Sequence, residues 1–140
     1  MTTDSLRAYR DSASEFSTHI DVLLVCYDAL SADIRSAGSA VVDGNISARC
    51  RHSQHALLLL GHLESWISLL DDEALGQSLV SFYAYIRSEL IGLQAATETT
   101  GYSKLAMRIC EARAAWQSKQ AKESSRFVRP SNEAHFSCSM

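Results

Sequence analysis

Three histidines on one predicted helix are the residues of this 140-residue chain whose spacing best suits metal chemistry. His52 and His55 stand three positions apart, so a helix places them on one face, where two imidazoles can share an ion. His62, nearly three turns beyond His52, needs further ligands from elsewhere in the chain. A strip of solvent-facing histidines is the favoured interpretation, and a metal-binding or metal-dependent helical bundle is the alternative.

Other arrangements typical of catalysis are absent from the sequence. There is no glycine-rich phosphate loop, no Gly-x-Ser-x-Gly, no His-Glu-x-x-His and no Glu-x-x-His pair. The acids Asp71, Asp72 and Glu73 stand at a predicted helix start, where the helix dipole stabilises negative charge without a cation. We therefore expect no enzymatic activity and no cofactor.

Composition restricts the class of protein further. One proline and 46% hydrophobic residues are consistent with one domain and one core. The net charge of -3 arises from 13 basic and 16 acidic residues along the chain, so no basic stripe is available for nucleic acid. Four widely spaced cysteines predict reduced thiols. No segment resembles a signal peptide or a membrane span, which predicts a cytosolic protein without membrane insertion.

Apolar spacing predicts an all-α chain, because sustained period-two alternation is missing. Thr18 can cap the first helix, which should end at Asp43 before a left-handed Gly44. Either Asp71 or Asp72 can cap the third helix, and Ser103 the fourth. Short connections favour an antiparallel up-and-down four-helix bundle. The predicted helices cover about 18–43, 47–70, 73–96 and 103–119.

The same pattern divides the chain into three parts. An N-terminal segment, residues 1–17, contains a short helix from about Asp4 to Arg10. The four-helix bundle occupies 18–121. Residues 122–140 are polar and include the only proline, so we expect a mobile tail.

Each long helix carries an apolar stripe at helical spacing. The first helix differs because a second apolar set lies beside its stripe, and a helix in a four-helix bundle is not surrounded. We therefore expect part of this second set, with Val80, Ala84 and Ile91 on the rear of the third helix, to form a groove for an amphipathic segment of another protein. Alternatively, the N-terminal segment or the tail covers it. The stripe of the first helix is Ile20, Leu23, Leu24, Tyr27, Leu30, Ile34 and Val41, and the second set is Val22, Val25, Cys26, Ala29, Ala37 and Ala40. The third-helix stripe is Leu75, Leu79, Phe82, Ile86, Leu90 and Leu93, and that of the fourth is Leu105, Ile109, Ala112 and Trp116.

An ordered set of short motifs resembles the flagellar secretion chaperones, the FliS-type proteins that bind flagellin before export. "VCYDAL" is similar to the family's Leu-Tyr-Asp-Gly helix, with Ala29 in place of the glycine. "SAGSAVVDGNI" resembles its helix end followed by Gly-Asp, here Gly44-Asn45. "LVSFYAYI" resembles its Tyr-x-Tyr segment, and "ARAAW" its closing Arg-x-Ala-Trp at Trp116.

The resemblance implies a non-enzymatic export chaperone. In such proteins the disordered C-terminal segment of flagellin wraps around an antiparallel helical bundle and becomes helical in apolar grooves. An apolar-x-x-Tyr near the N-terminus, similar to Leu6-x-x-Tyr9 here, is implicated in covering the empty groove and in docking to an export gate component. The cargo-binding residues expected on this basis are Leu24, Val25, Tyr27, Ala29, Val80, Tyr83 and Ile91.

Two further interpretations concern the partner. A paralogous adaptor would bind another export component, which the departures at Ala29 and at Asp72-Glu73, where the family often has Gly-Gly, allow. A structural adaptor would use its apolar face as a homodimer interface.

Overall fold

The computed structural model describes the backbone of residues 2–139 and the side chains of residues 19–122. It contains four α-helices and one short 3-10 helix, and the described residues form no strand. The predicted all-α class is therefore confirmed, and the helices are consistent with a bundle. Their antiparallel order stays a prediction. The helices are α1 (Thr2–Asp43), α2 (Ile46–Ser65), η1 (Ile67–Leu69), α3 (Glu73–Leu93) and α4 (Thr100–Ser139).

Helix α1 begins at Thr2 and continues to Asp43, whereas the sequence predicts a separate short helix and a new start at Thr18. No glycine or proline precedes Gly38, so nothing in the sequence obliges the helix to break there. Thr18 therefore lies inside a helix rather than at a cap.

Two predicted features of the connections between α1, α2 and α3 are confirmed, the left-handed Gly44 and an aspartate cap on α3. Gly44 has a φ of 68°, the left-handed conformation that ends α1. The Asn45 side chain accepts a hydrogen bond from the Ala48 amide and caps α2. Asp72, one of the two acids proposed as caps, accepts from the Leu75 amide at the start of α3. Helix α2 ends five residues earlier than predicted because η1 occupies the end of that segment.

Helix α4 differs from its prediction at both ends. It begins at Thr100, and the Ser103 amide donates to the Thr99 carbonyl, so Ser103 lies in the first turn rather than at the cap. The helix runs to Ser139, although a mobile tail was expected over 122–140. The side chains from residue 123 onward lie outside those the structure describes, so the mobility of this segment stays a prediction.

The chain forms two compact units, residues 1–24 with 113–140, and residues 25–112. In the first, Ile20, Leu23, Leu24 and Trp116 are buried, as their stripes predict. Also in this unit, Gln120 donates to the Asp21 carboxylate at 2.7 Å.

The unit formed by residues 25–112 contains most of the described core. On α3 the buried residues include Tyr83, whereas Phe82, which the predicted stripe places inside, is half-buried. The buried stripe is thus shifted by one position at this turn. The core residues of this unit are Tyr27, Leu30, Ile34, Ala37, Ala40, Ala56, Leu60, Leu63, Leu79, Tyr83, Ile86, Leu90, Tyr102, Leu105, Ala106 and Ile109.

Across the part of the chain that the structure describes, no helix combines the length and the hydrophobicity that a membrane span requires.

Candidate partner-binding surface

Within residues 25–112, helix α1 contacts each of the other three long helices. Asp33 contacts His52 on α2, with 3.3 Å between Oδ1 and Nδ1. Tyr27 bonds to Tyr83 on α3, and the Ser31 hydroxyl lies 3.5 Å from the Cys110 sulfur on α4. Helix α1 nevertheless keeps exposed positions, among them Asp28, Ala32, Arg35 and Ser39, so it is not surrounded on all sides.

The members of the second apolar set of α1 differ in their exposure. Ala37 and Ala40 are buried, Cys26 and Ala29 are half-buried, and Val25 is 67% exposed. Helix α2 lies beside this arc, since Asp33 on the same side of α1 contacts it. Burial raises the pKa of the Cys26 thiol, which keeps it protonated and weakly reactive. Val25 is thus the member of the set between residues 25 and 40 that is most accessible to a partner.

Tyr27 and Tyr83, both proposed as cargo residues, belong to the core. Each side chain is 1% exposed, and their rings meet edge to face with centroids 6.3 Å apart. Burial raises the pKa of Tyr83, and the charge and hydrogen bond of Tyr27 raise it further. The phenol therefore stays neutral at physiological pH. Leu24 is also buried, at 8% exposure.

Val80 and Ile91 lie on the surface of α3, 49% and 56% exposed. They share one face of the helix with small and uncharged residues, because the intervening positions follow three- and four-residue spacing. This surface extends about 22 Å along the helix at 1.5 Å per residue. We call it the α3 outer face, and its residues are Gln77, Val80, Ser81, Ala84, Ser88, Ile91 and Gly92, all of them exposed.

Charged and aromatic side chains border the α3 outer face. On one side, Arg87 forms an ion pair with Glu64 of α2. On the other side, Tyr85 packs beneath the Arg108 guanidinium of α4, which lies 5.7 Å from the ring centroid. An uncharged strip with a polar border is the arrangement typical of a surface that buries an apolar helix.

Sequence reasoning missed several exposed apolar side chains in the same unit. Val42 and Ile46, at the corner between α1 and α2, are 73% and 74% exposed. Leu58 on α2 and Met107 on α4 are 65% and 62% exposed. In the sequence these residues are apolar but lie between the predicted stripes. Single exposed apolar residues are common, however, and do not by themselves mark a site.

The histidines considered as metal ligands have a different arrangement. His52 and His55 both contact the Asp33 carboxylate through Nδ1. His62 is exposed on a later turn of α2. Among the described residues, no group of three histidine, cysteine or acidic side chains has a geometry that could hold a metal ion. The structure therefore gives the metal-binding alternative no support.

Leu6 and Tyr9, proposed for groove cover or gate docking, lie outside the residues whose side chains the structure describes.

Comparison of the chain with models of protein families identifies the family to which it belongs. The model of the flagellar protein FliS family matches residues 2–123. The chain belongs to the FliS family. No curated protein matches the chain. The family match covers the whole of the unit 25–112 and part of the other unit, and it includes the α3 outer face and all nine residues proposed from the sequence for partner binding.

Proposed function

We propose that this FliS-family protein is a cytosolic, non-enzymatic export chaperone that binds the disordered C-terminal segment of flagellin. The observation that carries the proposal is the family match over residues 2–123. Covering the flagellin segment prevents premature polymerisation, and the complex delivers flagellin to a component of the flagellar export gate.

The α3 outer face supports this proposal as the principal cargo surface. Val80 and Ile91 offer apolar area at two points eleven residues apart, or about 16 Å along the helix. Between them, small side chains such as Ala84 and Ser88 allow a second helix to approach closely. A partner helix of three or more turns with an uncharged face fits this surface.

Burial supplies the driving force for binding. Each large apolar side chain removed from water contributes about 1.5 to 3 kcal/mol before the flagellin segment's ordering cost is subtracted. Several such contacts are needed, because ordering a disordered segment consumes a few kcal/mol. Val25 on α1 is a second exposed apolar contact point.

The buried members of the proposed set take an indirect role. Leu24, Tyr27 and Tyr83 are too buried to contact a partner without a change in the fold. We propose that they position the helices that bear the exposed contacts. Ala29 is half-buried, and its small side chain leaves room for a partner beside Val25. Leu6 and Tyr9 retain their proposed role in groove cover or gate docking.

Calorimetric titration with a peptide covering about the last forty residues of flagellin from the same organism tests the proposal. We expect one-to-one binding with a large negative heat-capacity change. The double variant V80E/I91E should weaken binding by a hundredfold or more, at about 1.4 kcal/mol per factor of ten. The variant V25D should weaken it by about tenfold while helicity by circular dichroism stays unchanged.

A matched control uses an exposed valine away from the α3 outer face. V42E introduces one negative charge, against two in V80E/I91E, at a side chain that is 73% exposed, and it should leave the peptide affinity unchanged. Equal losses in V42E and V80E/I91E would contradict the assignment of the surface. No binding by the natural protein would instead favour an adaptor for another export component. Sedimentation over a concentration range then distinguishes a monomer from a homodimer that buries this face.

A further inference from the structure

An arginine of α4 lies beside the α3 outer face without an acidic partner. The Arg108 guanidinium stands 5.7 Å from the centre of the Tyr85 ring, close enough for a cation–π interaction. The three ion pairs among the described residues do not include Arg108. They also do not include Glu89, one turn after Tyr85, or Glu111, one turn after Arg108. No described carboxylate therefore neutralises this guanidinium at contact distance.

The contact with Tyr85 leaves the hydrogen-bond donors of Arg108 available. An aromatic ring attracts a cation through its electron-rich face and does not accept the strong hydrogen bonds that a carboxylate accepts. Arg108 is exposed, and its five N–H groups stay charged donors at physiological pH. The ring also restricts the side chain, so less conformational freedom is lost when a carboxylate binds to it.

Tyr85 places this charge near the middle of the α3 outer face. It follows Val80 by five positions and precedes Ile91 by six. Three- and four-residue spacing puts it beside Ser81 and Ser88, and the ring is 38% exposed. The middle turns of a helix seated on the α3 outer face therefore lie within reach of the guanidinium.

The spacing of residues along the α3 outer face favours one direction for a partner helix. Five of its residues alternate at intervals of four and three positions, the spacing of one seam of a coiled coil. Helices that pack along such a seam cross at about 20°, so they stay side by side for several turns. One flank of the partner helix then faces α4 and Arg108. The five residues are Gln77, Ser81, Ala84, Ser88 and Ile91.

The opposite border of the α3 outer face differs in charge. Arg87 is already paired there with Glu64 of α2, so that border offers no unneutralised cation. A carboxylate on the α4 side gains a charge-assisted hydrogen bond from Arg108, whereas one on the α2 side meets the negative charge of Glu64. The two borders therefore distinguish the two flanks of a bound helix.

We propose that Arg108, positioned by Tyr85, binds an acidic side chain of the partner helix on the α3 outer face. The bound segment is then an amphipathic helix whose apolar stripe is bordered by Asp or Glu on the side that faces α4. This inference rests on the proposed function, and it adds which chemical feature of the bound segment sets its orientation about its own axis.

Calorimetric titration of R108Q with the same flagellin peptide tests the pair. We expect R108Q to weaken binding about fivefold at low salt, the upper end of the range for an exposed ion pair. In about 0.5 M salt the loss should fall below about twofold, because salt screens exposed charges. R51Q is the matched control: it removes an exposed arginine from α2 and should change the affinity by less than about twofold. Unchanged circular dichroism in R108Q checks that the fold is kept.

Peptide variants identify the acidic partner. Each Asp or Glu of the peptide is replaced in turn by the matching amide. One replacement should weaken binding by about the same factor as R108Q, and its effect should disappear when R108Q is the binding protein. R108E should bind the natural peptide more weakly than R108Q does, and lysine at the coupled position of the peptide should restore much of the affinity.

The role of Tyr85 is tested by the same coupling. Y85F keeps the ring and should preserve the non-additivity between Arg108 and the acidic residue of the peptide. Y85A removes the ring and should reduce it. Equal coupling in Y85A and the natural protein would overturn the positioning role of Tyr85.

Other outcomes separate this inference from the proposed function. Peptide binding that is equally tight in R108Q and the natural protein would overturn the inference and leave the proposed function standing. Equal losses in R51Q and R108Q would overturn it too, because the attraction would then come from overall charge. Additive effects of R108Q with every acidic residue of the peptide would contradict a specific pair. Failure of the natural protein to bind the peptide would overturn the proposed function, and with it the inference.

Discussion

The hydroxyl of Tyr27 on α1 lies 2.8 Å from the hydroxyl of Tyr83 on α3, inside the core of the unit formed by residues 25–112. A hydrogen bond between two buried hydroxyls satisfies polar atoms that would be costly to bury alone, and it requires that both helices keep their register. The Tyr27–Tyr83 pair thus connects α1 to the helix that carries the α3 outer face.

Removing one hydroxyl of this pair should lower the free energy of unfolding by about 0.5 to 1.5 kcal/mol. We expect this loss for Y83F and for Y27F in urea unfolding. The double variant should lose less than the sum, because both changes remove the same bond. Additive losses in the double-mutant cycle would show that the two hydroxyls act independently.

Alkaline pH should destabilise the protein through Tyr83. Burial raises the pKa of its phenol in the folded state, whereas the unfolded chain ionises near the ordinary value of about 10. Above that value the unfolded state loses protons that the folded state retains, so stability falls as the pH rises.

Unfolding measured between about pH 8.5 and pH 11 should show a shallower decline in Y83F than in the natural protein. Y85F provides the control, since Tyr85 is 38% exposed on the same helix. Identical slopes in Y83F and the natural protein would contradict the assignment to Tyr83.

Local signals in the sequence predicted much of this fold. The left-handed Gly44, the Asp72 cap and the apolar spacing of α4 each depend on a few neighbouring residues, and each is confirmed. The predicted start of α1 at Thr18 was wrong. Thr18 is a suitable cap in isolation, but the residues before it also permit a helix, and α1 begins at Thr2.

The candidate site was harder to predict because exposure depends on how helices pack. Periodicity placed Tyr27 on the inner stripe, but it could not distinguish a core tyrosine from one at the rim of a groove. Val80 and Ile91 were correctly assigned to the rear of α3, since a single helix defines that face. Asp33 escaped notice because its partners His52 and His55 lie on another helix.

Arg49 should stabilise the connection between α3 and α4. Its guanidinium donates to the carbonyls of Leu93 and Ala96, and its Nε donates to the Tyr102 hydroxyl at 2.9 Å. The Leu93 carbonyl at the end of α3 also accepts from the Ala96 amide and from the Tyr102 hydroxyl, so Arg49 adds a charged donor to a hydrogen-bond network that holds this connection.

We expect R49A to cost about 1 to 3 kcal/mol of unfolding free energy and to speed amide hydrogen exchange around residues 93–102. R51A, an exposed arginine on the same helix, should change stability by less than about 0.5 kcal/mol. Faster exchange spread evenly over α2, α3 and α4 in R49A would argue against a local role.

Gly38 should be intolerant of a larger side chain, although it lies within a helix. A Cβ atom at this position would stand 3.0 Å from the Cβ of Tyr102, so α1 and α4 approach closely there. Gly61 offers the comparison, because a Cβ built on it has no neighbour within 4 Å. In a helix interior alanine is favoured over glycine by about 0.5 to 1 kcal/mol.

The two substitutions should therefore move the melting temperature in opposite directions. G61A should raise the free energy of unfolding by about 0.5 to 1 kcal/mol, and G38V should lower it by about 1 to 3 kcal/mol through overpacking against Tyr102. Thermal unfolding followed by circular dichroism measures both. A G38V protein as stable as the natural one would contradict the prediction and mean that Tyr102 can move away. In that case Y102A should lower the stability of G38V as much as it lowers that of the natural protein. If the close approach is the cause, Y102A in the G38V background should cost less than Y102A alone, because the added valine occupies part of the space that the ring leaves.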